Sequence, residues 1–167
     1  MTESTQSTND SNSKTTDLLQ LVGFQLDDEE YGIDILKVQE INRITEITKI
    51  PQSPDFVEGV INLRGNVIPI IDLRKRFNMP HKEYDKQTRI VVGEIGDRTV
   101  GFIVDAVSEI IRLPADKIEP APNISADDKA EYILGVGKLD DKLLMLLDID
   151  KILSGSEKDK LFEAAED

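Results

Sequence analysis

The sequence predicts a mostly β protein built as two small barrels side by side, with a groove between them. Three observations carry that reading. Apolar residues between about 18 and 153 recur mainly with period two, turn signals cut them into short runs, and the second half repeats the first. At an offset of +69, Gly32 falls on Gly101, Glu40 on Glu109, Ile41 on Ile110, Arg43 on Arg112 and Pro51 on Pro120. After a seven-residue insertion the offset is +76, where Gly59 meets Gly135, Val60 meets Val136, Leu63 meets Leu139, Asp72 meets Asp148 and Lys75 meets Lys151. Such self-similarity decides architecture ahead of any local assignment. Each half, about 18–78 and about 88–153, would bury only ~60% of its unfolded surface on its own, so the halves are expected to pack on each other. Closing short strands into barrels also removes exposed edges.

Residues 1–16 hold nine Ser/Thr and only Met1 as an apolar side chain, too little to offset the entropy of ordering, so they are read as a disordered tail. Leu19, Leu21, Phe24 and Leu26 then precede Asp27-Asp28-Glu29-Glu30, after which Tyr31, Ile33 and Ile35 alternate with Gly32 and Asp34, a hairpin signature. In the stretch VINLRGNVIPIID, residues 60–72, two apolar strands meet at Gly65-Asn66, read as a two-residue turn with Arg64 at the strand end beside it. Pro69 has no N–H to donate, so the second of these strands is expected to be an edge or to be bulged there. Asp72 stands where a helix N-cap belongs ahead of 73–77, and Asp148 repeats that role before 149–153. A second hairpin is expected from 90–95, a turn at Gly96-Asp97, and 100–104. Past the break at Ser154-Gly155-Ser156, residues 157–166 place Leu161, Phe162 and Ala165 on one side of a short C-terminal helix, so 156–167 are assigned to a helix or tail.

Composition removes several function classes. Of 167 residues, 39% are hydrophobic, enough for a real core, and 20 Lys+Arg against 33 Asp+Glu give a net charge of −13. That charge would repel a phosphate backbone or an anionic membrane, so no nucleic acid partner and no membrane insertion are expected. With no cysteine, disulfides, thiolate chemistry and Cys-ligated zinc are excluded. No apolar run reaches a membrane span and the N-terminus lacks a signal peptide, so the cytoplasm is the expected address. His81 lies in a loop between the halves, no phosphate-cradling glycine motif is present, and Asp27-Asp28, Asp127-Asp128 and Asp140-Asp141 lack calcium-loop spacing and read as turns or solvated faces. No catalytic residue, metal or cofactor is assigned.

Arg64 is the residue that structure alone explains least. A solvated surface charge is the plain alternative, but Asp140 occupies its place in the second half, and Glu40 ends a segment that could face it. An arginine with a partnered carboxylate on a groove wall makes a directional recognition site.

Four stretches carry a family resemblance: EEYGIDILKVQEI (29–41), FVEGVINLRGNVIPIIDLR (56–74), VGFIVDAVSEI (100–110) and LLMLLDIDKIL (143–153). In order and spacing they resemble the CheW family, the bacterial chemotaxis coupling proteins, from about Leu18 to Leu153; the CheW-like domain is set at 17–155. The resemblance implies two five-stranded SH3-like barrels, 18–78 and 88–153. It also implies an adaptor without enzymatic activity that joins the cytoplasmic tips of methyl-accepting chemoreceptors to the regulatory domain of the histidine kinase CheA. Receptor helices are expected in the groove and kinase at the barrel ends, in arrays at the inner face of the membrane. By position, Glu40 and Arg64 match receptor-side residues and Ile35, Val38 and Ile124 match apolar kinase-side residues, with Val38 also near the receptor side. On periodicity alone Ile35 and Val38 read as core, and Glu40, repeated as Glu109, suits a structural ion pair equally well. A chain ending at Asp167 is expected to carry no response-regulator domain, and interfaces of this type suggest a monomer in isolation. Two other readings stand beside this one: a metal-dependent hydrolase using clustered carboxylates, and a related scaffold for surface sensing or twitching motility.

Overall fold

A computed structural model describes residues 17–120, 132–139, 142–153, 157–158 and 161. Among the described residues eleven strands form in chain order: β1 (Leu18–Leu26), β2 (Glu29–Asp34), β3 (Val38–Arg43), β4 (Val57–Leu63), β5 (Asn66–Asp72), β6 (Arg89–Ile95), β7 (Arg98–Val104), β8 (Ala106–Pro114), β9 (Ile118–Pro120), β10 (Ile133–Leu139) and β11 (Lys142–Leu147). A single turn of α-helix, α1 (Leu73–Arg76), follows β5, and 3₁₀ turns occupy Ile35–Lys37, Ala115–Lys117 and Ile149–Lys151. The architecture is the expected mostly β, SH3-like pair of sheets. Of the three anticipated hairpins, β1–β2 and β6–β7 pair antiparallel through two-residue turns where expected, and β4–β5 also forms, with its turn one residue earlier.

The sheets do not follow the two halves of the sequence. One has six strands in the order β8-β1-β2-β11-β10-β9 and the other five in the order β3-β6-β7-β5-β4. Each half therefore gives its first hairpin to the other half's strands, held by the parallel pairs β2–β11 and β5–β7. The division at 18–78 and 88–153 is corrected accordingly, and β9 makes one sheet six-stranded rather than five. Exchanging hairpins gives each half-chain the partners it lacks for a core of its own.

Register confirms the repeat residue by residue. Val22 opposite Ile110 in β1–β8 reappears as Val91 opposite Ile41 in β6–β3, and Gly59 opposite Ile70 reappears as Gly135 opposite Leu146. Even the bulges correspond: Val57/Gly59 with Ile133/Gly135, and Val38/Glu40 on β3 within the span equivalent to the β8 irregularity opposite Val22/Phe24.

Among the described residues three apolar clusters form the core. Ile61, Ile68, Ile70, Ile90, Val92 and Ile103 pack in the five-stranded sheet, and Leu21, Ile111, Leu113, Leu144 and Leu146 in the six-stranded one. The largest joins both sheets, taking Phe24 and Tyr31 from one and Val91 and Phe102 from the other. Through it runs a ring stack, Phe24–Tyr31–Phe77–Tyr132, with successive centroids 5.5, 6.0 and 5.5 Å apart.

A buried arginine ties the same junction. Arg74 on α1 donates through Nε to Asp105 Oδ1 at 2.8 Å and through Nη2 to Asp105 Oδ2 at 2.8 Å, and it also bonds Asp27 and the Pro80 carbonyl. Burial pushes the Asp105 carboxyl up, but the Arg74 guanidinium and the Asp27 N–H outweigh it and hold the group below its ordinary value. Asp72 and Asp148 cap their short helices as expected, accepting from Arg74 N at 2.9 Å and Asp150 N at 3.1 Å. At the C-terminus Glu157, Lys158 and Leu161 are helical, with Leu161 buried and Glu157 bonded to Arg76, while Phe162 and Ala165 lie outside the described residues.

Candidate functional site

The stretch around Arg64 is built differently from expectation. Leu63 pairs with Asn66, so the central turn residues are Arg64 and Gly65, not Gly65 and Asn66. Both have positive φ, +53° and +89°, the pattern of a type I′ hairpin turn. Asn62 Oδ1 accepts from Gly65 N at 2.8 Å and fixes the register of this tight turn. Arg64 therefore stands at the tip of the hairpin in a conformation that L-residues other than Asn and Asp rarely take. Pro69 is also placed differently: β5 lies between β4 and β7, and the bulge is on β4. The parallel ladder to β7 starts only at Ile70, so Pro69 sits just outside it and its missing N–H leaves that ladder intact.

From that tip Arg64 reaches β3 and grips Glu40 with both terminal nitrogens, Nη1 to Oε1 at 3.2 Å and Nη2 to Oε2 in a shorter contact. The pairing is the one anticipated, and its geometry is a forked arginine–carboxylate contact. The Arg64 side chain is 70% exposed and that of Glu40 25%. Hydrogen bonding from Arg64 draws the Glu40 carboxyl below its ordinary range against some burial, and the same contact raises Arg64. With its amide nitrogen turned inward, Asn42 also donates to Glu40 Oε1 at 3.3 Å. A concavity lined by Thr45, Glu46, Thr48, Val60, Ile61, Asn62 and Val67 lies along the β4 margin of the five-stranded sheet beside this turn. The guanidinium thus keeps further N–H donors facing outward, already oriented by a carboxylate.

The apolar candidates lie on the same run of chain. Ile35 opens the 3₁₀ turn Ile35–Lys37, where Asp34 Oδ1 accepts from Leu36 N at 3.0 Å. Val38 begins β3, two residues before Glu40, and is half-buried against the large shared cluster. Ile35 is half-buried too, so neither is full core as periodicity alone suggested. Sequence reasoning passed over Leu36, which is 87% exposed at the apex of the turn. The signal was present, since an aspartate before Ile-Leu-Lys favours a capped turn over continued strand. Asn42 was also missed, having no feature that separates it from any strand asparagine. Ile124 lies outside the described residues, as do Asp127, Asp128, Asp140 and Asp141.

Elsewhere the chemistry is sparse. His81 is exposed and bonds only to Glu83 at 2.9 Å among the described residues. Among those residues no group of three or more His, Cys, Asp or Glu could hold a metal ion. Asp27 lies in the β1–β2 turn with φ +56°, as its sequence suggested, and serves Arg74.

A family model for the CheW-like domain matches residues 20–157. The chain belongs to the CheW family. It is 48% identical to the chemotaxis protein CheW of Klebsiella aerogenes over 134 residues, covering 80% of this chain and 81% of that protein. With CheW of Helicobacter pylori it shares 39% identity over 137 residues, 82% of each chain. The crystal structure of the scaffolding protein TtCheW from Thermoanaerobacter tengcongensis superposes with a TM-score of 0.78 at 40% identity, covering 83% of this chain and 94% of that one. The chain thus stands with chemotaxis scaffold proteins, not with enzymes. No helix among the described residues is long and apolar enough to cross a membrane.

Proposed function

We propose that this protein is an adaptor that couples the cytoplasmic tips of methyl-accepting chemoreceptors to a CheA-type histidine kinase and lets receptors control kinase activity. The observation that carries the reading is the Arg64–Glu40 fork at an exposed hairpin tip. A fold optimised for stability alone would place Asn or Gly at the first position of such a turn. An arginine held there in the left-handed region, and braced by a carboxylate, is better suited to recognising a polar helix surface than to supporting the hairpin.

In this reading Arg64, Glu40 and Val38 face the receptor. Ile35, Val38 and Ile124 face the regulatory domain of the kinase. Val38 and Glu40 lie on one short strand across a single bulge, so displacement at one contact is passed to the other through rigid backbone. The protein acts in the cytoplasm, recruited to receptor arrays at the inner face of the membrane, and is a monomer in isolation.

The test is reconstitution of receptor, kinase and adaptor with Arg64→Ala. We expect unchanged folding and unchanged kinase-domain binding, but kinase activity that no longer answers the receptor ligand. Control at the wild-type level in that variant would remove Arg64 from the site.

A further inference from the structure

The internal repeat sets two positions side by side that do not do the same work. Arg74, on the helix after β5, corresponds at +76 to Asp150, on the 3₁₀ turn after β11. Arg74 clamps Asp27, in the β1–β2 turn, and Asp105, which links β7 to β8. Asp150 occupies the equivalent corner, with its Oδ1 3.4 Å from Gly96 N in the β6–β7 turn and its Oδ2 accepting from Lys37 Nζ at 3.1 Å. Gly96 is Asp27 shifted by +69, and Lys37 lies one place from the position equivalent to Asp105. The first clamp is a buried network of several bonds. Its counterpart is one ion pair with side chains 47% and 39% exposed, plus a long backbone contact.

The weak clamp holds the turn Ile35–Lys37. Among the described residues, Lys37–Asp150 is the side-chain hydrogen bond that carries this turn across to another element, whereas Asp34 caps it locally. The turn also rests on β6 at Gly93, where a Cβ would stand 2.7 Å from Lys37 O and 3.4 Å from Ile149 Cδ1. Bare backbone at Gly93 lets the turn sit low, and the ion pair pins its far end. Its chain neighbours Ile35 and Val38 are the apolar candidates described above.

We propose that Lys37 and Asp150 are positioning residues, a latch that sets the pose of the Ile35–Lys37 turn for the kinase-side contact. This rests on the adaptor reading for its function, but the latch itself is a property of the free protein. An exposed pair is screened by salt and opens readily, so the contact face can be released at one corner while the Arg74 corner stays locked.

Two measurements test it. Amide hydrogen exchange on the free protein should be faster at residues 35–38 in Lys37→Ala and in Asp150→Ala, and should return to wild type in the swap Lys37→Asp with Asp150→Lys. Titration against the kinase regulatory domain should show both single variants weaker by a similar factor, about two- to fivefold, with the swap again restoring the wild-type value. Unchanged exchange in both singles overturns the latch. A loss of affinity confined to Lys37→Ala, not rescued by the swap, overturns it in favour of direct contact between Lys37 and the partner. If the wild type itself does not bind the kinase domain, the adaptor reading fails, while the exchange result still decides the latch.

Discussion

Replacing Arg74 with methionine isolates what the buried clamp contributes. Methionine keeps most of the aliphatic stem and removes the guanidinium, leaving Asp105, whose side chain is only 12% exposed, without its bidentate partner and with Asp27 nearby. Breaking a buried ion pair from one side costs about 3–5 kcal/mol, because the remaining charge stays desolvated. For a chain of this size each kcal/mol moves the melting temperature by about 2–4 °C, so we expect a fall of about 6–20 °C. The acid limb of stability should change as well. Asp105 is held below its ordinary pKa in the folded state, so its contribution is present above the unfolded carboxylate range near ~4 and is lost as pH falls through the lower, folded value. Arg74→Met should lack that acid-side loss, and Arg74→Met with Asp105→Leu should recover most of the stability. Urea unfolding of the wild type, Arg74→Met and the double variant between pH 3 and pH 7 reads all three effects. A cost below about 1 kcal/mol for Arg74→Met would refute the claim that this network locks the two sheets.

Three further outcomes follow from particular positions. Arg64→Asn places the residue that type I′ turns favour beside Gly65, so thermal stability should hold or rise while receptor control of the kinase is lost; a lowered melting temperature would make Arg64 structural. Gly59→Ala should cost at least about 2 kcal/mol in urea unfolding, since its Cβ would stand 2.0 Å from Thr48 O at φ +146°, whereas Gly65→Ala meets no atom within 4 Å and should cost about 1 kcal/mol. Leu36→Ala should leave the unfolding midpoint within experimental error, because the side chain is 87% exposed, and should weaken binding of the kinase regulatory domain; unchanged affinity would place the apex of its turn outside that contact.

Much of this was legible in the chain. Period-two alternation gave the hairpins and the caps at Asp72 and Asp148, because these depend on residues close in sequence, and the offsets +69 and +76 gave the repeat, which is a likeness within the sequence itself. Hairpin exchange between halves was not legible: strand partners across β2–β11 and β5–β7 are chosen by which apolar faces close the core, and identical patterns in the two halves suit either arrangement. The pairing of Glu40 with Arg64 was inferable from charge and the repeat. Its forked geometry was not, since it depends on a turn one residue earlier than the glycine suggested, set by the Asn62 side chain. Arg74 drew no notice in sequence because its partners Asp27 and Asp105 lie 47 and 31 residues away. Leu36 was passed over because the apolar run around it continues the strand pattern, although Asp34 ahead of it favours a capped turn.

The most direct test of the adaptor account is isothermal titration of this protein against the regulatory domain of the CheA-type kinase from the same genome, beside an Ile35→Asp variant with an unchanged unfolding midpoint. We expect saturable binding by the wild type and none by the variant, which would establish the coupling role and place one contact on the Ile35–Val38 run. Absence of heat and of co-elution at high concentration for the wild type would contradict the coupling role, and wild-type affinity in Ile35→Asp would move the contact elsewhere.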